Sequence, residues 1–206
     1  MSKNEKTNMD PKYLIKLTLT LFITCVIVAF ALGFVNKITA PNIEKANREK
    51  TEAAMQQVVE DDSSEFNPME LTDEMTAAAT ENGGTLTEAY EVVAGGETVG
   101  YTFKVVTSGS QGAIEMMVGV DAESTVTGVS VVKQSETKGI GSKVVVDNAV
   151  VKATGVPVLD QFQGKTADDM PLTVGSNVDA ISGATVSTKG VTAGVNAALA
   201  VAGVMG

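Results

Sequence analysis

The 206-residue sequence contains no histidine, no tryptophan and a single cysteine, Cys25. Without histidine the chain cannot build a Ser-His-Asp or Cys-His catalytic relay. Without histidine or a cluster of cysteines it also lacks the ligands of the usual zinc and iron–sulfur sites. Any chemistry must therefore come from hydroxyls, carboxylates, lysines or an imported cofactor, and we expect no catalytic residue and no metal site in the chain itself.

Basic residues are also few. The chain has 15 Lys and Arg against 25 Asp and Glu, which gives a formal net charge of −10. Nucleic-acid binding needs a basic face to meet the phosphates, so this balance argues against a nucleic-acid partner. Hydrophobic residues make up 44% of the chain and charged residues 19%, and these fractions are typical of a folded protein.

Residues 17–35 form an apolar run without a single charge. As a helix this run would rise about 29 Å, close to the thickness of the hydrocarbon core of a membrane. It is longer than the apolar stretch of a signal peptide, and no small-x-small cleavage site follows it in residues 36–41. We therefore predict an uncleaved single-pass membrane anchor that contains Cys25.

The charges beside the span do not orient it, because four basic residues precede it and four follow it. A short tail before the span and a large acidic domain after it favour a cytoplasmic N-terminus and a domain on the extracytoplasmic side of the cell membrane. The absence of cysteine from the domain agrees with that side. The predicted organisation is a tail over residues 1–12, a transmembrane helix over 13–36, a helical and loop connector over 37–88 and a soluble domain over 89–206.

Within the connector, residues 41–59 contain helix formers and mixed charges, which predict a mostly solvated helix that begins near Pro41. Residues 61–87 are polar and contain glycine, so we expect a loop with short helical pieces. Residues 143–153 are rich in valine, and their pattern leaves helix and strand equally open.

The soluble domain begins with apolar residues at a period of two, which predicts an antiparallel meander of about four strands. Residues 94–97, Ala-Gly-Gly-Glu, carry a hairpin signature between the first two. The C-terminus changes to a helical period with one apolar stripe. The strand positions are Tyr90, Val92, Val99, Tyr101, Phe103, Val105, Ile114, Met116, Val118, Val120, Val129 and Val131, and the stripe is Val191, Val195, Ala198, Leu199 and Ala202. The fold class is therefore α+β, with one N-terminal transmembrane helix before a domain of meander and flanking helices.

A cluster of hydroxyls stands just before the C-terminal helix, in the string Asp-Ala-Ile-Ser-Gly-Ala-Thr-Val-Ser-Thr over residues 179–188. One interpretation is an ordinary helix N-cap, in which Ser or Thr accepts hydrogen bonds from the first free N–H groups. The other is an anion site, because those N–H groups and the helix dipole favour a phosphate. Small residues at Gly183 and Ala184 would let a ligand approach the backbone.

This string resembles the flavinylation signature of the covalent FMN-binding domain family shared by the G subunit of the Rnf electron-transport complex and the C subunit of the sodium-pumping NADH:quinone reductase. In that family a separate flavin transferase, with FAD as donor, esterifies the last threonine of Ser-Gly-Ala-Thr to the FMN phosphate. The resemblance implies that Thr185 is the acceptor. Its neighbours in the cofactor site would be Ser182, Gly183, Ala184, Ser187 and Thr188.

A second segment, Ser-Glu-Thr-Lys-Gly-Ile-Gly over residues 135–141, resembles the family's Glu-Thr-Pro-Gly-Leu-Gly segment near the flavin. The departures are Lys138 in place of proline, which leaves the turn less rigid, and Ile140 in place of leucine. Read alone, the segment is typical of a glycine turn. The resemblance adds Glu136, Thr137, Lys138, Gly139, Ile140 and Gly141 to the cofactor site.

The order of segments follows the family over nearly the whole chain, and the length favours the Rnf member of the family. The resemblance implies a membrane-anchored carrier of covalent FMN in a complex that passes electrons between ferredoxin and NAD and translocates Na⁺ or H⁺. Its partners would be the other membrane and redox subunits and the flavin transferase, and catalysis at NAD would belong to those subunits. Two alternatives stay open: a stand-alone flavinylated domain for extracellular electron transfer, and a non-redox membrane-anchored binding module.

Overall fold

The computed structural model describes residues 11–59 and 63–205, which fall into two compact units that divide between Arg48 and Glu49. The first unit is part of helix α1, Pro11–Gln57. Its apolar side chains are exposed, Phe22 and Phe34 among them, and among the described residues it alone is long and apolar enough to cross a membrane. Most of the predicted tail lies outside the described residues, and the division at residues 12, 36 and 88 stays a prediction.

Helix α1 differs from the sequence-based expectation at its middle, because Pro41 lies inside the helix and does not begin a new one. The last turns of α1 belong to the second unit, and most of their side chains are exposed, as the sequence predicts, apart from one buried stripe. Ala54 and Met55 of α1, and Val58 just after its end, are buried against Met117 of the sheet. These apolar residues recur at helical spacing, and Gln56 and Gln57 between them are exposed, so this end of the helix buries one narrow stripe.

The second unit is built on a five-stranded antiparallel sheet whose strands lie in chain order. The strands are β1 Glu65–Pro68, β2 Thr85–Ala94, β3 Glu97–Ser108, β4 Ala113–Asp121 and β5 Val126–Lys133. The predicted meander corresponds to β2–β5 and is confirmed together with the α+β class. Strand β1 was expected as loop, because four residues are too few to show a period of two.

Helix α4, Thr185–Met205, packs on one face of this sheet beside α2, Asp73–Glu81. All five residues of the predicted apolar stripe are buried. They join a core that contains Phe103 and Val118, which lie opposite each other on β3 and β4. The C-terminal helix is therefore confirmed, and the core fixes the position of its N-terminus above the sheet.

Residues 134–184 connect β5 to α4 with little regular structure. They contain the single turn α3, Ser142–Val145, and two 3₁₀ turns, Asp160–Phe162 and Ala167–Asp169. For residues 143–153 the sequence leaves helix and strand open. The structure has helix at the beginning of this stretch and irregular chain after it, with a β-bridge between Val150 and Pro157. The predicted site residues stand at the two ends of this connection.

Candidate functional site

Thr185 is the first residue of α4, and its side chain is exposed. The chain reaches it through a turn in which the Ala184 N–H donates to the Ile181 carbonyl over 2.9 Å. Gly183 has a φ of +82° in this turn, a conformation that residues with a Cβ rarely adopt, and a Cβ placed there would meet no atom within 4 Å. The space beside Gly183 is therefore open.

The hydroxyls of the predicted cluster divide into an exposed and a buried set. Ser182 and Thr185 are exposed, whereas Ser187 and Thr188 are 1% and 0% exposed. The Thr188 hydroxyl donates to the Ala184 carbonyl over 3.1 Å, inside the first turn of the helix. A reagent in solution can therefore reach the first set but not the second.

Ser187 is tied to the second predicted segment. Its Oγ donates to Glu136 Oε2 over 2.6 Å, and both side chains are buried. The other carboxylate oxygen, Oε1, accepts the N–H of Ser110 over 2.7 Å and that of Gln111 over 3.2 Å. Three hydrogen bonds to one buried carboxylate are the arrangement expected for a group that must stay satisfied away from water.

Residues 137–141 form a tight turn that starts at this carboxylate. The Gly139 N–H donates to Ser142 Oγ over 2.8 Å, and the Ser142 N–H donates to the Thr137 carbonyl over 3.2 Å. Gly141 is buried against the Glu136 and Ser187 side chains, since a Cβ on Gly141 would collide with Glu136 Oε2 and lie 2.7 Å from Ser187 Oγ. Thr137, Lys138, Gly139 and Ile140 are exposed.

A second pair of contacts holds the beginning of the hydroxyl string. The Gln161 amide oxygen accepts the Asp179 N–H over 2.8 Å, and its Nε2 donates to the Asp179 carbonyl over 3.0 Å and to the Val158 carbonyl over 2.8 Å. Gln161 lies in the first 3₁₀ turn, next to Phe162, which is fully buried. Residues 179–187, which we name the acceptor segment, are therefore held at both ends.

The exposed part of the acceptor segment suits a phosphate. It stands at the N-terminus of a 21-residue helix whose first turn has no acidic residue, so the helix dipole and the free N–H groups favour an anion there. Lys189 is exposed one helical turn after Thr185, on the same side of the helix. Val186 and Ile140 are 54% and 52% exposed and offer apolar surface on the two joined segments.

The fold thus brings the two predicted segments together through Glu136, but the predicted residues differ in what they can touch. Seven of them are exposed, and Ala184, Ser187, Thr188, Glu136 and Gly141 are buried. The sequence does not predict the contacts of the Ser110 and Gln111 amides or those of Gln161. No local pattern marks a backbone N–H as a ligand of a distant carboxylate, so these contacts required the fold.

Comparison with known proteins gives results that agree with this geometry. The FMN-binding domain family matches residues 109–200. The G subunit of the Na⁺-translocating ferredoxin:NAD⁺ oxidoreductase complex of Acetobacterium woodii is 35% identical over 98% of this chain and 97% of its own length.

Two further relatives match over most of both chains. The G subunit of the ion-translocating oxidoreductase complex of Methanosarcina acetivorans is 27% identical over 92% of this chain and 95% of its own. Its counterpart in the proton-translocating ferredoxin:NAD⁺ oxidoreductase complex of Clostridium ljungdahlii is 27% identical over 92% of each. With its apolar N-terminal helix, its antiparallel sheet and an FMN-binding domain that contains both predicted segments, the chain belongs to the family of G subunits of ion-translocating, Rnf-type oxidoreductase complexes.

Proposed function

We propose that the chain is an electron carrier in an Rnf-type ferredoxin:NAD oxidoreductase complex and that its FMN is joined by a phosphoester to Thr185. The observation that carries the proposal is the position of Thr185. It is an exposed hydroxyl at the start of α4, in the string that resembles the flavinylation signature, and it lies within the FMN-binding match. Electron transfer through a covalently held FMN does not depend on the affinity of the chain for free FMN.

Burial supports Thr185 over two of its neighbours as the acceptor. Ser187 and Thr188 are enclosed and have hydrogen-bond partners of their own, so their esterification would require the first turn of α4 to unwind. Ser182 is exposed and is the one competitor in the string that burial does not exclude. The resemblance assigns the ester to the threonine, three residues later.

The proposed attachment is a phosphoryl transfer in which no group is oxidised or reduced. The Thr185 oxygen attacks the phosphorus on the FMN side of FAD, the pyrophosphate P–O bond breaks and AMP leaves. The hydroxyl proton ends on AMP or in solvent. The chain supplies the hydroxyl, and we assign catalysis of this step to a separate flavin transferase, since the one carboxylate of the hydroxyl string, Asp179, stands six residues before Thr185.

When bound, the flavin supplies the electron chemistry. The residues of the chain would hold it: the first N–H groups of α4 would face the phosphate, and Lys189 and Lys138 would offset its charge. The exposed residues 137–140 would lie against the ring or the ribityl chain, but the N–H groups of Gly139 and Ile140 are already bonded inside the turn, to Ser142 Oγ and to the Thr137 carbonyl. Glu136 and Gly141 are buried beneath this turn and support it without reaching the cofactor.

The partners follow from the family. The relatives span nearly the same length and are named as subunits of ion-translocating complexes, which favours a role beside other subunits over a stand-alone domain or a non-redox binding module. We assign ferredoxin oxidation, NAD reduction and Na⁺ or H⁺ passage to those partners. The apolar part of α1 anchors the chain in the cell membrane, and the proposal puts the N-terminus in the cytoplasm and the flavin domain on the opposite side.

The test is co-expression of the full chain with a flavin transferase, followed by denaturing electrophoresis and in-gel flavin fluorescence. The wild-type band should fluoresce, and Thr185→Val should be dark. Thr192→Val makes the same substitution at a buried site further along α4 and should fluoresce like the wild type. A dark wild-type band, or a fluorescent Thr185→Val band, would overturn the proposal.

A further inference from the structure

We infer that Glu136 and Gln161 are positioning residues that hold the acceptor segment in the one conformation in which a flavin transferase can use the Thr185 hydroxyl. The inference rests on the proposed function, because it concerns how the acceptor is presented. The hydrogen bonds of these two side chains go to residues other than Thr185. Both act through the backbone or side chain of another residue of the segment, at its two ends.

At the start of the segment, Gln161 pairs with the backbone of Asp179 as a neighbouring strand would. One amide side chain satisfies both the N–H and the carbonyl of that residue, over 2.8 and 3.0 Å. A third bond to the Val158 carbonyl and the buried ring of Phe162 fix the turn that carries Gln161. The segment therefore leaves the irregular connection in a fixed direction.

At the end of the segment, Glu136 fixes the first turn of α4 through Ser187. The carboxylate is itself held by the N–H groups of Ser110 and Gln111, in the loop between β3 and β4. The first turn of the helix is thus connected to the sheet, and not only to the turn at residues 137–141. Because the carboxylate is buried, these hydrogen bonds are less weakened by water than they would be at the surface.

Between its two held ends, the acceptor segment contains exposed residues and a glycine, which favour motion of its backbone. Ser182, Gly183 and Thr185 are exposed, and Gly183 can adopt many conformations because it lacks a Cβ. Each backbone residue released from a single conformation gains conformational entropy. Without its end contacts, the hydroxyl would spend little time in the geometry that the transferase requires, and misplacement of a reacting group by about 1 Å can slow a reaction about a hundredfold.

The experiment uses the full chain, purified in detergent without flavin, together with purified flavin transferase and FAD. Initial rates of flavin incorporation are measured at several acceptor concentrations, and the unfolding midpoint of each variant is measured in parallel. Gln161→Ala and Ser187→Ala each remove one end contact and leave the Thr185 hydroxyl in place. We expect each to lower kcat/KM for the acceptor by about ten- to a hundredfold.

Two controls separate positioning from general destabilisation. Glu136→Gln keeps the size of the side chain, an oxygen for the Ser110 and Gln111 amides and an NH₂ for Ser187 Oγ, so its rate should stay near that of the wild type. Asn196 lies in the middle of α4, and its side chain bonds both the N–H and the carbonyl of Leu172, over 2.9 Å each. Asn196→Ala removes both hydrogen bonds. It should lower the unfolding midpoint as much as Gln161→Ala does and leave the rate unchanged.

Wild-type rates for both Gln161→Ala and Ser187→Ala would overturn the inference, and so would a rate loss in Asn196→Ala equal to theirs. Either result would leave the proposed function intact as long as Thr185→Val takes up no flavin. Incorporation of flavin into Thr185→Val would instead overturn the proposed acceptor, whatever the other variants show. The two failures are therefore distinguishable in one set of assays.

Discussion

Glu136 and Ser187 are 51 residues apart in the chain, and a 2.6 Å hydrogen bond between their buried side chains joins the two segments that the sequence singles out. Glu136 begins the exposed turn at residues 137–141, and Ser187 lies in the first turn of α4, two residues after Thr185. The bond explains why an exposed glycine turn and an exposed hydroxyl occupy one site. It also explains why both segments contain a polar residue that never reaches the surface.

Gly141 makes this junction possible, and we predict that Gly141→Ala destabilises the fold. The added Cβ would collide with the Glu136 carboxylate and lie 2.7 Å from Ser187 Oγ. Overpacking of this kind costs about 1–3 kcal/mol of the free energy of unfolding. The measurement is chemical denaturation of the full chain in detergent.

Gly112→Ala is the matched control for this substitution, because the nearest atom to its Cβ would be Ser135 Cβ at 3.4 Å, an ordinary contact. The control should unfold near the wild-type midpoint. If Gly141→Ala unfolded there as well, the junction would be looser than the structure indicates.

Glu88 makes stability depend on pH. Burial raises its pKa, but hydrogen bonds from Lys104 Nζ over 2.7 Å and from the Tyr90 hydroxyl over 2.6 Å, with the charge of Lys104, together bring the pKa below the ordinary value of 4.5. A pKa that is lower in the folded than in the unfolded chain stabilises the fold above the ordinary value. That contribution is lost as the pH falls through the lowered pKa.

We therefore predict that wild type unfolds at a higher temperature than Glu88→Gln at neutral pH and that the difference closes as the pH falls below 4.5. Thermal unfolding of both proteins across this range measures it. Glu115→Gln is the control, because its partner Lys133 is largely exposed and such pairs contribute little. A difference between wild type and Glu88→Gln that did not change with pH would show that the carboxylate's charge is not what matters.

The side of the membrane is tested with a membrane-impermeant thiol reagent on intact cells. Cys25→Ser first removes the single native cysteine, and Ala122→Cys then places one on the exposed turn between β4 and β5. We expect this thiol to react without lysis. Ser2→Cys in the tail is the matched control and should react only after lysis, so the reversed pattern would invert the proposed topology.

The regular elements could be predicted from the sequence because their patterns are local. The apolar stripe from Val191 to Ala202 repeats at helical spacing over about three turns of α4, and Phe103 and Val105 alternate along β3. Strand β1 has only four residues and shows no such pattern, so it was expected as loop. Its place at the edge of the sheet depends on pairing with β2, which is a tertiary contact.

For the candidate site, the sequence predicts only which residues take part. The Ser-Gly-Ala-Thr string and the Glu-Thr-x-Gly-x-Gly segment are visible in the sequence, but nothing in either indicates that Ser187 faces inward while Thr185 faces outward. That division follows from the packing of α4 on the sheet. The contact of Gln161 with Asp179 was missed because the two residues meet across an irregular connection with no period.

The central claim is that Thr185 carries the flavin, and peptide mass mapping tests it most directly. The full chain is co-expressed with a flavin transferase and cut with trypsin, which releases residues 166–189 as one peptide that contains all the candidate hydroxyls. We predict that the mass of this peptide rises by one FMN less one water and that its fragment ions place the addition on Thr185. An addition on Ser182, Ser187 or Thr188, or an unmodified peptide from a fluorescent protein, would contradict the claim.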